Sequence, residues 1–208
     1  MQLTDDQISV TLDLQDDQPH LTLEHAATGM RWGPAPLLEL DVFNGMGLCL
    51  DRPRIPCVRH ATPIENGVHL DLFDRFHQIV LGAVLKVRDG RLAVRVRMSE
   101  WVEHDDDVYR LYTAHILPGM MQVGEEGDLL LPLSPGRRIR PAGKPEVTDQ
   151  FLIYGEQSRW QLLPMLPVVS VGAKEAGLAA VATRCAEDAN VRVWTDGQGN
   201  GGIDARSE

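Results

Sequence analysis

Among the histidines and glutamates of this sequence, three residues are candidates for general acid–base catalysis. They are His77, His115 and Glu156. A carboxylate can take a proton from one substrate hydroxyl while an imidazole protonates a neighbouring oxygen, provided that both side chains converge on one surface. Histidines on strands of mixed polarity are more often structural or simply exposed, so an ordinary structural role stands beside the catalytic one.

A second set of residues suits the binding of a sugar without any chemistry. An aromatic ring stacks on the face of a pyranose, while charged side chains hold the hydroxyl groups. The residues of this set, which would contact a carbohydrate or a partner, are Arg137, Arg138, Arg140, Glu156, Arg159 and Trp160. The alternatives are a tryptophan packed in the core and arginines that contact a neighbouring domain or subunit.

No metal site or cofactor is predicted. The acidic run Glu103–Asp107 lacks the spaced ligands and the central glycine of a calcium loop, and it is typical of a solvated hairpin loop. The 3 cysteines include no Cys-x-x-Cys pair, which argues against a zinc knuckle or a disulfide framework. The sequence also lacks a phosphate loop and a nucleophile elbow.

The net charge of −10 argues against nucleic acid and anionic membranes as general partners, because both bind cationic surfaces. The first residues lack the basic and apolar regions of a signal peptide, and no apolar run approaches the ~18 residues of a membrane span. These features predict a soluble, cytoplasmic protein.

The hydrophobic pattern predicts an all-β fold. In the clearest segment, Val68, Leu70 and Leu72 alternate with His69 and Asp71. After the Asp89-Gly90 turn, apolar residues up to Met98 alternate with Arg91, Arg95 and Arg97. These arginines are typical of a solvated face that blocks edge aggregation, and a ligand-binding stripe is the alternative.

About a dozen short strands with no long helix predict a large antiparallel β-sandwich. Residues 1–195 are expected to form one such domain. Residues 196–208 include Gly-Gln-Gly-Asn-Gly-Gly, which predicts a glycine-rich tail or linker.

Three short segments of the second half carry a resemblance to a known family. They are Leu129–Pro132 with Pro135-Gly136 in the stretch Gly127–Pro141, then Leu163–Val169, and then Gly177–Val181. Together they resemble the amino-terminal β-sandwich of glycoside hydrolases of the endo-α-N-acetylgalactosaminidase type and their uncharacterised relatives. The likeness covers about residues 120–195, and its turn departs from the Pro-Asp-Gly-Ser-Gly that is usual in the family.

The resemblance implies a galactose-mutarotase-like supersandwich that precedes a catalytic TIM barrel. A barrel needs ~250 residues, which 208 residues cannot supply, so no catalytic residue is carried over. The expected function is therefore a non-catalytic accessory domain that supports or extends a carbohydrate-active catalytic domain. One alternative is a mutarotase-like sugar epimerase that uses His77 or His115 with Glu156. The other is a stand-alone carbohydrate-binding module.

Overall fold

A computed structural model describes residues 1–44, 52–131, 136–152, 168–173, 176–183 and 189–207, with no side chains described at 151, 152, 189 and 205–207. Within these ranges the chain forms 17 strands and no helix. The strands are β1 (Gln2–Thr4), β2 (Ile8–Gln15), β3 (Gln18–His25), β4 (Arg31–Pro36), β5 (Leu38–Asn44), β6 (Cys57–Ile64), β7 (Gly67–Asp74), β8 (Ile79–Arg88), β9 (Arg91–Glu103), β10 (Tyr109–Val123), β11 (Gly127–Leu131), β12 (Arg137–Ile139), β13 (Glu146–Leu152), β14 (Val168–Ala173), β15 (Ala176–Val181), β16 (Ala189–Asp196) and β17 (Gly201–Ser207).

Contacts between residues are densest within two units, Met1–Leu117 (unit 1) and Pro118–Glu208 (unit 2). Unit 1 contains the antiparallel sheets β1-β2-β3-β4 and β6-β7-β8-β9, and it also contains β5 paired with residues 109–116 of β10. Alternation along β7 builds part of its core, since Leu70 and Leu72 are fully buried while His69, Asp71 and Phe73 between and beside them are only partly covered. Burying each such side chain contributes about 1.5–3 kcal/mol.

Unit 2 contains the antiparallel sheet β12-β11-β14-β15 and the strand order β13-β16-β17, with β10 next to β17. One cluster of buried residues joins β10, β11, β14, β16 and β17, and in it Leu129, Val191 and Ile203 are at most 1% exposed. The apolar run Leu129–Leu131 forms most of β11, and Leu129 and Leu131 are buried.

The prediction of an all-β fold is confirmed. The described strands form four antiparallel sheets, which is a finer division than the two large sheets expected of a β-sandwich. Among the described residues, no helix is long and apolar enough to cross a membrane.

The predicted tail is wrong over most of its length. Gly201–Ser207 forms β17, which pairs with β16 along its whole length, from Thr195↔Gly201 to Ala189↔Ser207. The connection between the two strands is ordered by Asp196, whose carboxylate accepts hydrogen bonds from the backbone N–H groups of Gln198 and Asn200. The glycine-rich segment is therefore a hairpin and not a linker.

The predicted alternation along β9 ends in a bulge. Gly82 on β8 pairs with Arg97 on β9, but Val80, two residues earlier on β8, pairs with Val102. The segment of β9 between these two pairs therefore contains more residues than the facing segment of β8. Met98, which the alternation places on the apolar side of β9, is 67% exposed. A bulge of this kind re-aims the side chains that it carries.

Candidate functional site

A polar groove lies on the outer face of β6 and β7 in unit 1. It has a cavity of about 320 Å³ and is lined by Arg59, His60, Thr62, His69 and Asp71. In the register of the two strands, His60 lies opposite Asp71 and Thr62 lies opposite His69. Paired residues point to the same face of a sheet, so the alternation that buries Leu70 and Leu72 also gathers these side chains on the solvent side.

The β9 bulge adds a carboxylate beside this groove. Glu100 extends from the bulge across β8, where Gly82 leaves room for it, since a Cβ atom at Gly82 would lie only 1.7 Å from Glu100 Oε2. Glu100 Oε2 lies 2.6 Å from His69 Nε2, and Glu100 Oε1 accepts a hydrogen bond of 2.5 Å from Arg97 Nη1. The carboxylate thus links β9 to β7 and fixes the imidazole of His69.

Hydrogen bonding holds Glu100 in its charged form. The Arg97 guanidinium lowers the pKa of the Glu100 carboxyl, and the His69 imidazole adds to the effect. A carboxyl whose pKa is depressed by folding stabilises the fold above its unfolded-state pKa, and this contribution is lost as the pH falls through the folded-state value. Around neutral pH, Glu100 is therefore a hydrogen-bond acceptor and not an acid.

Replacing Arg97 by methionine is expected to raise the pKa of Glu100 towards its ordinary value, because the largest cause of the depression is removed. The titration of the Glu100 side-chain carboxyl, followed by ¹³C NMR, measures this change. Arg95→Met is the matched control, since Arg95 lies two residues away on the same strand and has no acidic partner in the part of the chain that the structure describes. An unchanged titration in Arg97→Met would contradict the assignment.

A second ion pair holds the other side of the groove. Arg59 Nε lies 3.7 Å from Asp71 Oδ2, and the Arg59 guanidinium lies 5.4 Å from the centre of the Phe73 ring. Both charged side chains are partly exposed, so the pair adds little to stability. Its consequence is geometric, because it sets a donor and an acceptor at defined positions in the groove.

The first predicted acid–base residue, His77, lies in the connection between β7 and β8 and is fully buried. Its Nδ1 is hydrogen-bonded to the carboxylate of Asp74, which is itself 5% exposed. The rings of Phe76 and Tyr109 pack edge-on against it at centroid distances of 4.8 and 4.7 Å. This environment favours a structural role for His77.

The second predicted residue, His115, lies on β10 with its Nε2 2.7 Å from Asp41 Oδ2 on β5. The side chains of His115 and Asp41 are 8% and 13% exposed. The two predicted histidines thus have different acidic partners, and neither lines the groove. Glu156, their predicted partner, lies outside the described residues, as do Arg159 and Trp160.

The predicted arginine cluster lies on and just after β12 and is partly neutralised. Asp128 on β11 forms ion pairs with Arg138 and with Arg140, the second at 3.4 Å. The hydrogen bond from Arg138 is the main cause that lowers the pKa of the Asp128 carboxyl. Only Arg137 lacks an acidic partner within the described ranges, so the cluster is less cationic than the sequence suggested.

The groove residues were visible in the sequence only in part. The alternation on β7 predicted that His69 and Asp71 share a polar face, but nothing in the local sequence paired them with Glu100.

Across the described ranges, no three His, Cys, Asp or Glu side chains are close enough together to hold a metal ion. Comparison of the sequence with models of known protein families and with curated proteins finds no match.

Proposed function

We propose that this chain is a non-catalytic accessory domain of a carbohydrate-active protein, and that it binds sugar through the groove on β6 and β7. The observation that carries the proposal is the lining, in which all five side chains can form hydrogen bonds. Sugars present hydroxyl groups that both donate and accept, and the groove offers Arg59 as a donor and Asp71 as an acceptor. A cavity of about 320 Å³ is of the size of small-ligand sites, which start near 300 Å³.

The lowered pKa of Glu100 favours binding over catalysis. General acid–base catalysis at neutral pH works best with a group whose pKa lies near the operating pH, whereas Arg97 and His69 lower the pKa of the Glu100 carboxyl further below it and make the carboxylate a weaker base. A charged carboxylate is a strong acceptor for a sugar hydroxyl. The resemblance of residues 120–195 to the supersandwich domains of glycoside hydrolases supports the same proposal, in which the sandwich packs against or extends a catalytic partner.

A mutarotase-like epimerase is the second candidate, and the contact between His69 and Glu100 favours it. These residues form a histidine–glutamate pair of the kind predicted at other positions, with 2.6 Å between Nε2 and Oε2. Anomerisation of a simple sugar, followed by NMR, tests this candidate. Acceleration by the wild-type protein that is lost in both His69→Ala and Glu100→Gln would replace the accessory function with the enzymatic one.

We expect Asp71→Ala to weaken sugar binding by about 10-fold or more, because hydrogen bonds to charged groups contribute roughly 1.5–3 kcal/mol. A glycan array identifies a ligand, and calorimetry measures its affinity for the wild-type chain and the variant. Asp13→Ala on β2 is the matched control, since it makes the same substitution at an exposed aspartate on another sheet of unit 1. No binding across neutral and acidic glycans, or equal affinity of Asp71→Ala and wild type, would contradict the proposal.

A further inference from the structure

The outer face of β8 and β9, next to the groove, is cationic in a chain whose net charge is −10. In the strand register, His69 on β7 lies opposite Val84 on β8, and Val84 lies opposite Arg95 on β9. Arg95 therefore points to the same side of the sheet as His69. Two strand spacings of about 4.8 Å place the Cα atoms of these residues about 10 Å apart, within the span of one or two sugar rings.

Other cations extend this face along the two strands. Lys86 on β8 is two residues beyond Val84, and Arg88 lies opposite Arg91 on β9. Side chains two residues apart on a strand point the same way. The cationic face thus consists of Lys86, Arg88, Arg91, Arg95 and Arg97.

Some of these cations are neutralised and others are not. Arg97 is paired with Glu100, and Arg88 Nε lies 3.2 Å from Asp89 Oδ2. Lys86, Arg91 and Arg95 are exposed and have no acidic partner among the residues that the structure describes. Of these three cations, Arg95 and Lys86 lie beside the groove, and Arg91 lies farther along, at the turn between β8 and β9.

We propose that the ligand of this face is an acidic glycan, whose hydroxyl groups bind in the groove and whose carboxylate or sulfate groups bind to Arg95 and Lys86. This inference rests on the proposed function and names its ligand class. The inference is based on the combination of negative and positive side chains on this face. The carboxylates of Asp71 and Glu100 accept hydrogen bonds from hydroxyls, and the neighbouring unpaired cations attract anions.

The same combination disfavours nucleic acid. A nucleic-acid backbone presents closely spaced phosphates, which the carboxylates in and beside the groove would repel, and binding it depends on a surface that is cationic over several phosphates. The net charge of −10 adds repulsion outside the cationic face. A glycan with one acid group per sugar and several hydroxyls matches the alternation of acceptors and cations more closely.

The test compares matched neutral and acidic oligosaccharides by calorimetry with the whole chain. Oligogalacturonate is compared with its fully methyl-esterified form, and a sulfated galactan oligosaccharide with its desulfated form. Binding of at least one acidic form about 10-fold tighter than its neutral counterpart, weakening as salt increases, is the expected result. The two pairs distinguish a carboxylate ligand from a sulfate ligand.

The double variant Lys86→Ala/Arg95→Ala is expected to remove this preference and to leave the weaker binding of the neutral form in place. Arg110→Ala/Lys144→Ala removes the same charge from exposed positions outside the cationic face and should retain the preference. Equal binding of acidic and neutral forms would overturn the inference while leaving the proposed function intact, whereas no binding of any glycan would overturn both. Tighter binding of a single-stranded oligonucleotide through Lys86 and Arg95 would also overturn the inference.

Discussion

Ending the chain at Asn200, which removes β17, is expected to unfold unit 2. β17 lies between β16 and β10, so its loss would leave hydrogen-bonding groups of both strands without partners. Ile203, which is 1% exposed, would be lost from the core cluster. Asp204, which is 3% exposed, would no longer accept hydrogen bonds from Arg192 and from the backbone N–H of Gly119. Hydrogen exchange measured by mass spectrometry should show that β16 loses its protection in the shortened chain.

A point substitution tests the packing of Ile203 in the core cluster without shortening the chain. Ile203→Ala should lower the free energy of unfolding by about 2–5 kcal/mol, since it removes buried methyl groups and leaves a cavity. Val181→Ala, on β15 of the same unit, is the control, because Val181 is 56% exposed and its change should stay within about 0.5 kcal/mol. Retention of native exchange protection in β16 after truncation, or equal effects of the two substitutions, would contradict this account.

The sequence did not predict β17 because the glycine-rich composition of this segment is that of a linker. In the structure, the glycines have a role in packing. Gly202 lies opposite Trp194 on β16, and a Cβ atom at Gly202 would come within 2.7 Å of the indole ring. The strand therefore carries a glycine where its neighbour carries the bulky side chain. Ile203 is the only large apolar residue between Asn200 and Glu208, so no alternation was visible.

The groove shows what the sequence can predict. The alternation of Leu70 and Leu72 with His69 and Asp71 is a local property of one strand, and it correctly predicted which residues share a face. The position of Glu100 depends on how many residues of β9 are accommodated opposite β8. The hydrogen bonds between the two strands decide this number, and the sequence of β9 alone predicts an uninterrupted alternation.

The ion pairs of the predicted sites illustrate the same limit. Arg138 and Asp128 are ten residues apart in the sequence, and they meet because Leu130 on β11 pairs with Arg138 on β12. His115 and Asp41 are separated by 74 residues and meet through the pairing of β10 with β5. The residue types were recognisable as charged or titratable, but strand pairing decided which of them became neighbours.

Replacing Asp74 by alanine is expected to lower the free energy of unfolding by about 3 kcal/mol. The Asp74 carboxylate accepts hydrogen bonds from His77 Nδ1 and, at 3.0 Å, from the backbone N–H of Phe76. His77 is fully buried, so water cannot replace the contact that its Nδ1 would lose, and a hydrogen bond to a charged group contributes about 1.5–3 kcal/mol. Asp74→Asn should cost less, because the amide oxygen can still accept one of the two hydrogen bonds.

The control for Asp74→Ala is Asp71→Ala on the same strand, three residues earlier. Its partly exposed carboxylate faces the groove and pairs with Arg59 at 3.7 Å, so its loss should cost no more than about 1 kcal/mol. Urea unfolding of the three variants measures the differences. The order of destabilisation that we expect is Asp74→Ala, then Asp74→Asn, then Asp71→Ala. If Asp74→Ala were as stable as Asp71→Ala, the contact between Asp74 and His77 would not be structural, and a functional role for His77 would regain support.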